Sequence, residues 1–138
     1  MKDSNETTIR VRYAETDQMG VVYYANYFVW FEIGRVEFLR GMGFSYRDME
    51  REDGCFIAVV DARCRYRAPA RYDEEIVIRT RLSFVRGSAI QFSYEALRAL
   101  DRTLVAEGET THMVTDAQMK VCPLPERYAR AFEALQAK

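Results

Sequence analysis

The sequence predicts an α+β fold in which a five-stranded antiparallel sheet wraps around one long central helix, in the order β-α-β-β-β-β, with a short C-terminal helix. Three observations carry that prediction. From Asn26 to Gly41 or Gly43, apolar residues recur at helical spacing. From Phe56 onward the period changes from 3.6 to 2 and holds through four runs. The connections RYDEE, RGSA and ALDRT are short, which favours antiparallel neighbours. One helix followed by long strands buries its apolar stripe best when the sheet curls around it.

Thr7 to Tyr13 alternates loosely and reads as the first strand; Asp17 to Gly20 reads as a loop. Asn26 suits the N-cap of the helix, and Tyr27, Trp30, Phe31, Gly34 and Phe38 share one face of it. Val29, Ile33, Val36 and Leu39 add apolar positions outside that face, so the helix should be wrapped by the fold rather than laid on its surface. A short helical turn is expected at Tyr46 to Glu50. The next run would place Phe56, Ala58, Val60, Ala62, Cys64 and Tyr66 on one face and Asp61, Arg63, Arg65 and Arg67 on the other. Ile76, Ile78, Thr80, Leu82 and Phe84 are expected inward in the following strand, and Ile90, Phe92, Tyr94 and Ala96 in the one after. In the last, Thr103 to Thr115, Gly108 shares a face with Ala106 and Val114, where a missing side chain would admit a large helix residue such as Trp30. Pro123 and Pro125 open a terminal helix, PLPERYARAF.

Residues 1–138 are expected to form a single domain, a common size for one. With 49% hydrophobic and 30% charged residues and a net charge of -1, the chain has no electrostatic case for a nucleic-acid or membrane partner. No apolar run approaches the ~18 residues of a membrane span, and the opening MKDSNETT lacks the basic-then-apolar plan of a secretion signal. A cytoplasmic location is the expectation. Cys55, Cys64 and Cys122 form neither an even framework nor a CxxC pair, so free thiols are expected and zinc is not. Arginine outnumbers lysine; most arginines would sit on solvated strand faces, while a few could hold phosphates bidentately.

The chemistry on offer is narrow. There is no GxSxG elbow, GxxxxGK[ST] loop, HExxH or GxGxxG. His112 is the single histidine, and its strand parity points it inward, where a paired core role is expected. Asp17 stands upstream of Met19-Gly20-Val21-Val22-Tyr23-Tyr24, which leads into the helix, where main-chain N–H groups are unpaired and carry positive partial charge. Two readings of Asp17 are open from the residues alone. It is a turn or capping residue, or it attacks a carbonyl carbon or activates water while the helix-start amides hold the oxygen. Glu15 reads as a solvated or hydrogen-bonding loop residue. Glu32 would pair with Arg35 at i+3, or be aimed by a dimer-interface helix into an acyl pocket. Tyr27, Trp30 and Phe31 could line such a pocket, although their spacing is that of core residues.

The stretch Tyr13-Ala-Glu-Thr-Asp17-Gln-Met-Gly20-Val-Val-Tyr-Tyr24-Ala-Asn26-Tyr27 resembles the signature of hotdog-fold acyl-CoA thioesterases of the 4-hydroxybenzoyl-CoA and Tol-Pal-associated types. Tyr66-Arg-Ala-Pro69-Ala-Arg71-Tyr-Asp73 is similar to a later block of that family, and Arg86-Gly87-Ser88 to its hairpin. The resemblance implies that Asp17 is the catalytic carboxylate, as nucleophile or general base, and that amides near Tyr24 polarise the thioester carbonyl. Tyr13 matches a family tyrosine near the acid. Tol-Pal-type members usually carry histidine where this chain has Tyr24, whereas 4-hydroxybenzoyl-type members can carry tyrosine, so the main-chain role of Tyr24 is the one implied. Active sites between protomers of a homodimer or homotetramer are also implied.

The expected reaction is hydrolysis of an acyl-CoA to free acid and CoA, with CoA entering as part of the substrate and no metal or redox cofactor. Its phosphates would meet Arg86 and Arg65 or Arg67. Thioesters suit such equipment, because a thiolate leaves without the proton that an amine needs from histidine. Competing readings are hydrolysis of acyl-carrier-protein thioesters and a non-catalytic acyl-thioester binding module. The latter usually needs an attached domain, for which this chain leaves no room. A hydratase would want an Asp-His pair that Asp17 and His112 are not placed to form.

Overall fold

In the computed structural model, which describes residues 3–136, the apolar run becomes α1 (Asn26–Gly41), with Tyr27, Trp30, Phe31, Gly34, Phe38 and Leu39 buried along it. Full burial of each such large side chain stabilises by about 1.5–3 kcal/mol. The helix stops where Gly43 takes a φ of 87° and the Phe44 N–H donates back to the Leu39 carbonyl. Asn26 is not the N-cap. Ala25 holds that position with no side-chain cap, and Asn26, already helical, donates its side-chain amide to the Glu15 carbonyl.

Around α1 lies one sheet of five strands, β1 (Ser4–Arg10), β2 (Phe56–Tyr66), β3 (Glu75–Arg86), β4 (Ala89–Arg98) and β5 (Leu104–Thr115), in the spatial order β1-β3-β4-β5-β2 with every neighbour antiparallel. α2 (Tyr46–Asp53) is capped by Ser45, and α3 (Glu126–Gln136) follows Pro125 and is tied to α2 through Tyr128 and Arg127 on Asp53. The α+β architecture and element order are those the sequence predicts.

Three details of register differ from the simple alternation. β1 starts at Ser4 and ends at Arg10. Its polar first half lies on a sheet edge, held by main-chain pairing to β3 and by Glu6 with Arg79 and Arg102, so hydrophobic period gave no sign of it. In β2 a bulge at Val60 shifts the register, so Ile57 and Val59 share the helix-facing side with Ala62, Cys64 and Tyr66, while Phe56 and Ala58 do not. A second bulge at Ser83 in β3 puts Val85, not Phe84, opposite the buried Ile90. Phe84 therefore faces outward, where the Arg86 guanidinium lies 4.8 Å from its ring.

Gly108 does admit a large helix residue, but it is Phe31 rather than Trp30. A Cβ there would fall on the Arg63 carbonyl oxygen and 2.7 Å from the Phe31 ring. Main chain cannot yield as a flexible side chain can, so Gly108→Ala should cost about 3 kcal/mol of stability. Urea unfolding measures it, and a loss below about 0.5 kcal/mol would show that β2 and β5 separate easily.

A buried polar chain crosses the core. Arg35 does not pair with Glu32; it turns inward and donates to the hydroxyls of Tyr94 (3.2 Å) and Tyr46 (3.3 Å). Tyr94 meets Thr110, and Thr110 meets Nε2 of His112 at 2.8 Å. Burial, and then the Arg35 charge, push the imidazole down from 6.5 to about 3. His112 is thus a neutral core residue near neutral pH. The unfolded chain binds its proton below pH 6.5 while the folded one does not, so this contribution is complete above pH 6.5 and is lost as pH falls toward 3. Between pH 6.5 and 5 stability should drop with a slope approaching 1.4 kcal/mol per pH unit. His112→Asn should flatten that slope in urea melts; equal slopes would refute the assignment.

Candidate active site

Past β1 the chain leaves the sheet, and Tyr13–Glu15 makes one 3-10 turn in which the Glu15 N–H donates to the Arg12 carbonyl. The segment then folds back on itself. Asp17 N–H donates to the Val21 carbonyl and Gly20 N–H to the Asp17 carbonyl, a tight turn that Gly20 closes at a φ of 80°. One Asp17 oxygen, Oδ1, accepts the Met19 N–H at 2.8 Å. The turn reading of Asp17 is thus right for that oxygen. Oδ2 has no hydrogen-bond partner and the carboxylate no ion pair among the described residues, and the half-buried side chain opens onto a cleft.

This cleft, about 380 Å3, is bounded by Asp17, Tyr24, Tyr27, Tyr66 and Arg67, with Met19, Val21 and Pro69 as apolar walls. It therefore sits between the turn, the start of α1 and the end of β2. Tyr23 N–H donates to the Glu15 carbonyl, but the Tyr24 and Ala25 N–H groups meet no acceptor among the described residues. They are the free donors of the helix start, with its positive end behind them. Tyr66 donates its hydroxyl to the Tyr24 carbonyl at 3.0 Å. Burial pushes the Tyr27 hydroxyl up to about 12, and burial with neighbouring Cys64 also raises Tyr66. Both stay protonated near neutral pH.

Of the two loop roles expected for Glu15, solvated or hydrogen-bonding, the structure shows the second, and it is buried. It is 5% exposed, and its carboxylate accepts the Arg12 N–H at 2.8 Å and Nε1 of the fully buried Trp30 at 2.9 Å. Its own carbonyl takes Tyr23 N–H and the Asn26 side chain. One residue thereby fastens the Asp17 segment to the first turns of α1.

The remaining expected residues are dispersed. Tyr13 is exposed beside the turn, packed edge-on against Tyr72 at 5.3 Å, and does not line the cleft. Arg67 does line it, with its guanidinium on Glu107 at 2.7 Å. Arg65, two residues earlier, lies in a separate charged groove with Glu95, Glu107 and Glu109. Arg86 belongs to the opposite end of the sheet, since its hairpin pairs through Ala89 with Met113, which faces Ala58 near the start of β2. Tyr27, Trp30 and Phe31 are core, although Tyr27 also reaches the cleft wall. Tyr66 is the site residue that sequence reasoning passed over, and for Glu15 the hydrogen-bonding role was legible but not its partner Trp30, since both act across long sequence separations.

Among the described residues no three His, Cys, Asp or Glu side chains are grouped to hold a metal ion, and no helix is long and apolar enough to cross a membrane. Cys55, Cys64 and Cys122 are free thiols.

The profile of the thioesterase-like superfamily matches residues 11–132. The chain is 38% identical to the "putative acyl-CoA thioesterase YneP" of Bacillus subtilis over 80% of this chain and 78% of that one. It is 34% identical to the "acyl-CoA thioester hydrolase YbgC" of Escherichia coli O157:H7, over 91% and 92%. Among solved structures, a DHNA-CoA thioesterase from Staphylococcus aureus superposes with a TM-score of 0.92 at 30% identity, covering 97% of this chain and 91% of that one.

Proposed function

The chain belongs to the thioesterase-like superfamily, is a thioester hydrolase with the hotdog fold, and, from that premise, we propose that its substrate is an acyl-CoA, cleaved to free acid and CoA in the Asp17 cleft. One observation carries this reading: Asp17, with Oδ2 open, and Tyr24, whose N–H is unpaired, border the same cleft, and the unpaired Ala25 N–H follows directly in the chain. The thioester carbonyl oxygen would rest on the amides, where charge developing during addition is stabilised. Asp17 then forms the new bond to the carbonyl carbon itself, giving a mixed anhydride that water opens, or takes a proton from water as it attacks. The carbon–sulfur bond breaks with its electron pair on CoA thiolate, so no metal or redox cofactor is needed.

A homodimer fits the surface. Among the described residues β2 pairs with β5 alone, and its other edge is eleven residues long with Val59 and Val60 exposed, beside exposed Val29 and Ile33 of α1. Such an edge is a template for strand pairing. Two β2 edges joined antiparallel would set the Phe56 end of one protomer beside the Tyr66 end of its mate. Arg86 would then approach the cleft from the second subunit, toward the CoA phosphates, with Arg67 supplied in the same chain.

The test is thiol release from hexanoyl-CoA, palmitoyl-CoA and benzoyl-CoA, with acyl-carrier-protein thioesters of the same acids alongside. Turnover of at least one CoA thioester is expected. Hydrolysis of carrier-protein thioesters alone would move the substrate assignment, and tight binding without turnover would favour a binding module.

A further inference from the structure

We infer that Tyr66 is a positioning residue, whose hydroxyl orients the Ala25 N–H toward the thioester oxygen by holding the Tyr24 carbonyl. The inference rests on the thioesterase reading of the Asp17 cleft and adds a role to it. Tyr66 ends β2, and its ring packs edge-on against Tyr27 at 5.2 Å and Tyr24 at 6.4 Å. The hydroxyl reaches the Tyr24 carbonyl at 3.0 Å, shorter than the 3.4 Å helix-start bond that the same carbonyl receives from the Tyr27 N–H.

The Tyr24 carbonyl and the Ala25 N–H belong to one planar trans peptide, so fixing the oxygen fixes the opposite direction taken by the hydrogen. A second consequence is electronic: a donor on the carbonyl polarises the peptide and strengthens its N–H as a donor. At a helix start without a side-chain cap, no shorter hydrogen bond holds this peptide among the described residues. The hydroxyl remains a donor near neutral pH, since burial and Cys64 hold it protonated. Tyr66 is 46% exposed, so removing one oxygen from it leaves the core intact.

Tyr66→Phe isolates the hydroxyl. With the best of the three acyl-CoA esters above, kcat should fall roughly tenfold or more, less than the ~10²–10³ lost when an oxyanion donor is removed outright, because the N–H itself remains. KM should stay within about twofold and the melting temperature within about 2 °C, as for other surface changes. In 15N-labelled protein the Ala25 amide resonance should shift and its hydrogen exchange quicken, while the Met19 amide, held by Asp17, stays in place. Unchanged kcat, a loss carried by KM alone, or an unmoved Ala25 resonance would each overturn the inference. If wild-type protein cleaves no thioester, the proposed function fails, and the Ala25 amide alone decides whether Tyr66 positions it.

Discussion

Asp17→Asn is expected to lower kcat for thioester hydrolysis by about a hundredfold or more, with the fold undisturbed. Asparagine keeps an oxygen for the Met19 N–H, so the Asp17–Gly20 turn survives the change. What disappears is the negative charge on the open side. An amide oxygen neither adds to a thioester carbon nor takes a proton from water at useful rates, whichever role the carboxylate plays. Because Asp17 is half-buried and in no ion pair among the described residues, stability should shift by no more than about 0.5 kcal/mol. Thiol release and thermal melting together decide it. A folded variant with full turnover would remove Asp17 from the chemistry.

Glu15→Ala should produce the largest loss of stability, about 3–5 kcal/mol. Two donors, the Arg12 N–H and the indole N–H of a fully buried Trp30, lose their acceptor at once. The unsatisfied buried indole donor costs about 1–3 kcal/mol, the part-buried Arg12 N–H adds about 1 kcal/mol, and the truncated side chain leaves a small cavity. Glu15→Gln retains one acceptor oxygen and should be milder. Urea unfolding distinguishes them, and a loss below about 1 kcal/mol for the alanine variant would mean that water replaces the carboxylate. Activity should fall as well, because the same residue ties the Asp17 segment to the helix start through Tyr23 and Asn26.

These two positions mark what the sequence does and does not reveal. The long helix and the period-two strands were legible because burial imposes their spacing on neighbouring residues. Asp17 and Tyr24 were legible as a local motif, an acid followed by a glycine turn and a helix start. The burial of Glu15 was not, because its decisive partner Trp30 lies fifteen residues on and that burial exists only once the turn has closed over the helix. Arg35 is a sharper case. Its i+3 neighbour Glu32 is the obvious partner on an isolated helix, yet burial turns Arg35 toward Tyr94, fifty-nine residues away. The bulges at Val60 and Ser83 belong to pairs of strands rather than to either strand alone, so alternation misplaced Phe56, Ala58 and Phe84. Likewise Arg65 and Arg67 look equivalent in sequence, but the strand ends between them, and Arg67 alone reaches the cleft.

The most direct measurement is a crystal structure of the Asp17→Asn variant holding an acyl-CoA that it no longer cleaves. Catalysis from this cleft predicts the thioester carbonyl oxygen about 3 Å from the Tyr24 and Ala25 nitrogens, with the carbonyl carbon against residue 17. An acyl group lodged elsewhere, for instance in the groove beside Arg65 and Glu109, with the helix-start amides facing only solvent, would contradict it.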